Sequence, residues 1–333
     1  MKRKIIKHWG LFITLQLITL SLFAQGPNNT GTYYQSANGL KGKALKTAMF
    51  KIIRTHKELS YKALWTAFKT TDMREDGKVW DMYSCTTNYR FGTDQAGSYK
   101  KEGDVYNREH SFPKSWFNED RPMYTDLVHL VPTDGKVNGM RSNYPFGENK
   151  GEKYTSNKGF SKLGKCTYPG YSGIVFEPND LYKGDFARIY FYMATAYEDK
   201  IANWSGSEFP KIASHDSYKP YKDWQMNMLM EWAKKDPVSQ KEIDRNKGIY
   251  SQQNNRNPFV DYPGLEEYIW GSMQNVAFSY DNYQGVSSIP FIEFETEPIY
   301  PKGWYNLNGQ KVGDECPTQK GIYIHHGKKM VIE

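Results

Sequence analysis

Residues 106–147 read YNREHSFPKSWFNEDRPMYTDLVHLVPTDGKVNGMRSNYPFG. The stretch gathers two histidines, His110 and His129, with Glu109, Asp126, Asn138 and the arginines Arg108, Arg121 and Arg141. It reads as a short strand ending at Glu109 and His110, a loop, a second short strand over residues 127–131, and a short helix carrying Asn138. Strand, strand and helix in that order can hold one divalent metal and one general base over a phosphodiester. Glu109 and Asn138 are hard oxygen donors. Magnesium keeps several of its waters, so one carboxylate and one amide oxygen are enough protein ligation. Histidine titrates near neutrality and suits the activation of water. If both residues are extended, His110 faces away from Glu109. Asp126 can orient a histidine or act through a water. Plainer readings stand beside these. A Glu-His pair at a strand end arises often by chance, and an Asn before Gly is a common turn residue. From spacing alone, a metal-dependent hydrolase and a set of turns both remain open.

Outward from this block, the 333 residues allow one large domain or two small ones. Apolar residues at 38% and aromatics at 16% supply a sizeable core. The N-terminus has a basic start (Lys2, Arg3, Lys4, Lys7) and an apolar run over residues 11–23 that is too short to span a bilayer. With Ala24 before the cut, residues 1–24 are expected to be a secretory signal, so the protein is expected outside the cell or at its surface. No later stretch is long and apolar enough for stable membrane insertion. The net charge of +7 includes those four positives, which leaves +3 on the mature chain. Bulk charge therefore does not argue for a nucleic-acid partner, and any electrostatic footprint must be local. Cys85, Cys166 and Cys316 form no CxxC pattern and no Cys/His cluster, which argues against a zinc-thiolate site. A Cys85–Cys166 bridge is compatible with export.

Residues 25–42 read as a linker. Helical spacing then places Leu45, Met49, Ile52 and Ile53 on one face, followed by a second run through Leu64, Trp65 and Phe68. Residues 79–84 look like a strand and residues 150–173 like a Gly- and Lys-rich loop. Asp180 is an N-cap signal ahead of a helix over residues 186–197. Further helices are expected over residues 222–235, 239–250 and 265–270. Residues 273–301 read as a linker. From Lys302 the pattern is short alternating strands, with Asn308-Gly309 and His326-Gly327 as hairpin turns. His325 and His326 read as surface residues.

Three ordered groups of residues carry a family resemblance. They are Arg108-Glu109-His110-Ser111-Phe112-Pro113, then Asp126-Leu127-Val128-His129-Leu130-Val131-Pro132, then Val137-Asn138-Gly139-Met140-Arg141-Ser142-Asn143-Tyr144. Residues 187–193 (ARIYFYM) and 254–260 (NNRNPFV) match in the right order. Over residues 43–272 the chain resembles the bacterial endonuclease I family of secreted or periplasmic non-specific nucleases. The resemblance implies an α+β fold with a His-Me finger (ββα-metal) core inside a mostly helical domain. It implies His110 as general base and Glu109 and Asn138 as ligands of Mg2+, with Mn2+ or Ca2+ as substitutes. The expected reaction is cleavage of DNA, and of RNA too, to 5′-phosphate ends. The family also places a phosphate-holding arginine between the two strands. Arg121 is the candidate inside that shorter loop, and Arg141 or Arg188 can supply the same charge.

Some members have a histidine directly after the Asp-Leu pair, where this chain has Val128, and His129 comes one place later. His129 either supports the site or sits silent in the core with its hydrogen bond satisfied. Lys114, Arg121, Lys136, Arg141, Lys150 and Lys153 surround the block and can contact phosphates. No protein partner is implied, and a monomer is expected. Residues 302–333 resemble the C-terminal sorting modules of the type IX secretion route. Two other function classes compete with a nuclease. A secreted, non-catalytic nucleic-acid or glycan binder would bind without turnover, and a glycosidase would release sugar.

Overall fold

The helix over Lys183–Ala196 is buried along nearly its whole length, from Gly184 to Ala196. A helix buried on all sides belongs inside a core, and other helices pack against it. The computed structural model describes residues 25–85, 88–95, 98–285, 303–306, 310–315, 317–325 and 328–332. The chain divides into two compact units, Met1–Val286 and Ser287–Glu333.

In chain order the first unit holds α1 (Gly42–Ile53), α2 (Leu64–Thr71), β1 (Tyr106–His110), β2 (Leu130–Asp134) and α3 (Gly135–Arg141). Next come β3 (Tyr154–Thr155), β4 (Lys162–Lys165), β5 (Ile174–Glu177), α4 (Lys183–Ala196), α5 (Asp223–Lys235), α6 (Gln240–Gln253), α7 (Pro258–Asp261) and α8 (Leu265–Ile269). The fold is α+β. α1 buries Leu45, Met49 and Ile53, four residues apart and so on one face, and packs on α4. α5 presents Trp224, Met228 and Trp232 to α4 in the same way. The two helices approach closely at Gly184, where a Cβ would sit 2.0 Å from the Asp236 carbonyl oxygen at the end of α5. Only glycine fits there. α6 starts on a capping box, with Ser239 and Glu242 each bonding the other's backbone. The N-cap ahead of α4 is Asn179, which accepts from the Leu181 amide and opens a 3-10 turn at Asp180–Tyr182.

β1 and β2 pair antiparallel, with Tyr106 opposite Asp134 and His110 opposite Leu130. The second strand thus lies three residues beyond its expected start. The reason is where the backbone groups of residues 127–130 go. The Leu127 amide donates to Gln253 Oε1 and the Val128 amide to Asp126. The Arg245 guanidinium takes the Leu127, Val128 and Leu130 carbonyls. With the Leu127 and Val128 groups engaged by side chains, regular pairing starts at Leu130, and beyond it the Ser111 amide still donates to the His129 carbonyl at 3.0 Å.

Residues 79–84 are a turn and not the expected strand. Asp81 Oδ1 accepts from the amides of Tyr83 and Ser84 at 2.7 and 3.2 Å, which closes an Asx-type turn. Conversely, the expected loop over residues 150–173 contains β3 and β4, which join β5 in a three-stranded antiparallel sheet. Cys85 and Cys166 are free thiols.

The second unit is a small antiparallel sheet in the order β7-β6-β8-β9, from β6 (Trp304–Tyr305), β7 (Lys311–Gly313), β8 (Gly321–His325) and β9 (Lys328–Ile332). His325 is half-buried and stacks on Trp304, with centroids 4.4 Å apart. The signal segment 1–24, much of the 273–301 linker, Cys316 and the turn residues Asn308-Gly309 and His326-Gly327 lie outside the described residues. Among the described residues no helix is long and apolar enough to cross a membrane.

Candidate active site

Asp134 ends β2 and begins α3. Its carboxylate accepts from the Val137 amide at 2.9 Å as an N-cap, and also from the Gly103 amide at 2.7 Å and the Tyr89 hydroxyl. The helix therefore starts immediately after the strand, beside β1. Asn138 and Arg141 are three residues apart and share one face of α3. That face meets Glu109. Arg141 Nη1 donates to Glu109 Oε1 at 2.9 Å and to the His110 carbonyl at 3.0 Å, while Nη2 donates to the Ser111 carbonyl at 2.6 Å. The Tyr83 hydroxyl donates to the same Oε1 at 2.9 Å. Asn138 lies near the same carboxylate and favours its ionised form.

Burial raises the Glu109 pKa to about 7, against the pull of Arg141, Tyr83 and Asn138. A carboxylate so placed is stabilised as an anion by any further cation. Among the described residues no three His, Cys, Asp or Glu side chains gather as a closed metal cage. The donor set here is one carboxylate and one amide. Its chemistry fits a hard cation that retains most of its water.

His110 turns to the other side of β1, as strand alternation requires. Its Nε2 lies 3.1 Å from the Tyr124 carbonyl oxygen. A carbonyl only accepts, so Nε2 carries the hydrogen and Nδ1 keeps a lone pair. Burial holds the ring's pKa well below the usual histidine range, and the nearby His129, Lys114 and Arg108 push the same way against the Tyr124 carbonyl. The ring is thus neutral at pH 7. It stacks beside Tyr124 (5.3 Å) and Tyr61 (6.1 Å).

His129 is fully buried behind His110, with ring centroids 5.5 Å apart and Nε2 2.7 Å from the Met123 carbonyl. Of the two open readings, its burial is that of a core histidine, bonded at Nε2 while its buried Nδ1 has no hydrogen-bond partner among the described residues. Asp126 does not touch a histidine by hydrogen bond. Its carboxylate accepts from Tyr192, Tyr197 and Gln253, each at 2.7 Å. Burial pushes its pKa up, but His56, His129 and these donors outweigh that, and the net shift is down. Asp126 is therefore a buried anion that ties α4, α6 and the β2 approach together.

The arginines divide sharply. Arg141 is 1% exposed and its Nη groups hold Glu109 and two carbonyls, so it shapes the site from within and does not face solvent. Arg188 is equally interior, paired with Glu242 at 2.7 Å and donating to the Asp236 carbonyl. Neither is free to take a phosphate in this arrangement. Arg121 is exposed and paired with Glu58 at 3.2 Å.

Two cations lie beside His110: Arg108, for which the sequence suggested no role, and Lys114, one of the expected phosphate contacts. Arg108 lies two residues before His110 on β1, and its guanidinium sits 3.5 Å over the Tyr61 ring and 4.3 Å over Trp65. The i, i+2 alternation with His110 was the signal for it. Lys114 lies 5.6 Å from the Tyr124 ring centroid. Arg245 and Gln253, which shape residues 126–130, carried no sequence signal at all.

A family model described as Endonuclease I matches residues 41–264. The chain is 38% identical over 249 residues to an extracellular ribonuclease of Bacillus amyloliquefaciens, covering 73% of this chain and 79% of that one. It is 37% identical to an extracellular ribonuclease of Bacillus subtilis (strain 168), covering 77% and 84%. A periplasmic deoxyribonuclease of Aeromonas hydrophila is 27% identical over 145 residues, covering 43% and 50%.

Proposed function

Because this chain belongs to the endonuclease I family and is a nuclease, we propose that it is a secreted, metal-dependent endonuclease that hydrolyses DNA and RNA to 5′-phosphate products. The observation that carries this reading is the convergence of Glu109, Asn138 and His110 on the β1–β2–α3 unit. We take that unit as a His-Me finger. The relatives include extracellular ribonucleases and a periplasmic deoxyribonuclease, which supports both the broad substrate range and export.

Glu109 and Asn138 would hold Mg2+, with Mn2+ or Ca2+ as substitutes. When bound, the metal supplies positive charge to the scissile phosphate and to the leaving 3′ oxygen. The protein's own part is set by its residues. Nε2–H of His110 is anchored on the Tyr124 carbonyl, which fixes the ring and aims the free Nδ1 lone pair as proton acceptor. Water gives its proton to Nδ1 as its oxygen attacks phosphorus and the 3′ oxygen departs. Because burial keeps the ring neutral, this base is ready at pH 7 without first losing a proton. Arg141 holds Glu109 in place and partly offsets the effect of burial on its carboxylate, and it pins the strand end at His110 and Ser111.

The test is cleavage of plasmid DNA and of RNA by the purified mature chain, with magnesium or with a chelator. His110→Ala is expected to lower the rate by roughly two to four orders of magnitude while the protein stays folded. Equal activity of the variant and wild type, or full activity in chelator, would sink the mechanism.

A further inference from the structure

Beside His110, on the side away from α3, four side chains form a cationic, phenolic shelf. Tyr61 and Tyr124 stack with centroids 4.7 Å apart and rings 27° from parallel. Arg108 covers the outer face of Tyr61 at 3.5 Å and donates to the Tyr61 backbone carbonyl. Ring faces are thus occupied by neighbours, and what the pair offers a ligand is its hydroxyl edges. The Lys114 ammonium lies 5.6 Å from the Tyr124 ring centroid, on the same shelf. Tyr61, Tyr124 and Lys114 are all partly exposed. Among the described residues Lys114 forms an ion pair with Glu119 alone, at 2.8 Å, with side chains 40% and 53% exposed. An ion pair that open to water is weak, of the order of 1 kcal/mol or less, so a phosphate can take its place.

We propose that Tyr61, Tyr124 and Lys114, backed by Arg108, bind the phosphate next to the scissile one on the same nucleic-acid strand. The proposal rests on the nuclease reading of His110 above. A polynucleotide lying across His110 must carry its neighbouring phosphates past the adjacent surface, and this shelf is the cationic surface that adjoins the ring. Lys114 supplies the charge, and the two hydroxyls supply directional donors to phosphate oxygens. Such contacts read no base, which agrees with a non-specific substrate. Glu119 then competes with the substrate for Lys114.

The test measures binding of a fluorescently labelled short single-stranded DNA oligonucleotide to the full mature chain, in chelator and over a range of salt concentrations. Lys114→Gln is expected to weaken binding roughly three- to tenfold and to reduce the slope of log affinity against log salt by about 0.7. Lys114→Arg should restore both. Tyr61→Phe and Tyr124→Phe keep the stacked rings and should still weaken binding. Glu119→Gln should strengthen it, an effect that a merely structural Lys114–Glu119 pair would not produce. Unchanged affinity and slope in Lys114→Gln, or no gain in Glu119→Gln, overturns the proposal. Plasmid cleavage with magnesium, run in parallel, separates the two readings. Intact cleavage with binding blind to Lys114 removes the shelf alone. Lys114-dependent binding without any cleavage removes the catalytic reading and leaves the shelf.

Discussion

At the scale of single residues, burial decides what each charge can do. Arg121 and Arg141 look equivalent in sequence, but one is exposed and the other is 1% exposed around a buried carboxylate. Arg141→Ala strands Glu109 without its counter-ion, and a broken buried pair costs about 3–5 kcal/mol. Arg121→Ala loses a surface pair and should stay within about 0.5 kcal/mol of wild type. Chemical denaturation of both variants checks the contrast; similar midpoints would contradict it.

Glu266, buried in the first turn of α8, gives a pH prediction at a distance from the chemistry. Burial raises its pKa from 4.5 to about 7, and its Oε2 has no hydrogen-bond partner. A raised folded-state pKa means that its stabilising contribution is complete below pH 4.5 and is lost as pH rises through 7. Glu266→Gln should therefore match wild type near pH 4. Near pH 8 it should be the more stable by something on the order of 3 kcal/mol. Thermal unfolding at the two pH values reads this, and a pH-independent difference would count against it.

At the scale of elements, the site is a strand end and a helix face brought together by one capping carboxylate. Asp134→Ala removes the α3 cap and leaves the Tyr89 hydroxyl and the Gly103 amide without their acceptor. The expected loss is about 2 kcal/mol. Cleavage should fall further than stability does, because α3 carries both Asn138 and Arg141. A variant that is destabilised yet fully active at a temperature where it is folded would argue that α3 does not position the site.

Helices with apolar residues every three or four positions, such as α1 and α5, were legible because their burial pattern is local. β1 and α3 were legible too. The start of β2 was not, because it depends on Arg245 and Gln253, more than one hundred residues away in the chain. Nor was the β3–β4–β5 sheet. Its strands are two to four residues long and hold too few apolar positions to show a period of two.

At the scale of the whole molecule, the two units are separate bodies of contact. A chain ending at residue 285 should keep the full chain's melting temperature and cleavage rate, which calorimetry and plasmid nicking would check. Loss of either would mean that the first unit depends on the C-terminal residues. The sequence by itself determined most of the helices and the order of the chemistry-bearing residues, which residue type and local periodicity encode directly. It also set Glu109, His110 and Asn138 in one block, and the family resemblance, not the spacing, assigns them the proposed chemistry. Only the tertiary structure decided which side chains are interior. It moved Arg141 and Arg188 into buried ion pairs and Asp126 into a hydrogen-bonded hub. It also brought Arg108, Lys114, Tyr61 and Tyr124 beside His110. The physical reason is that burial and pairing depend on partners distant in sequence. A charge's role is set by what desolvates and neutralises it, and no local pattern records that.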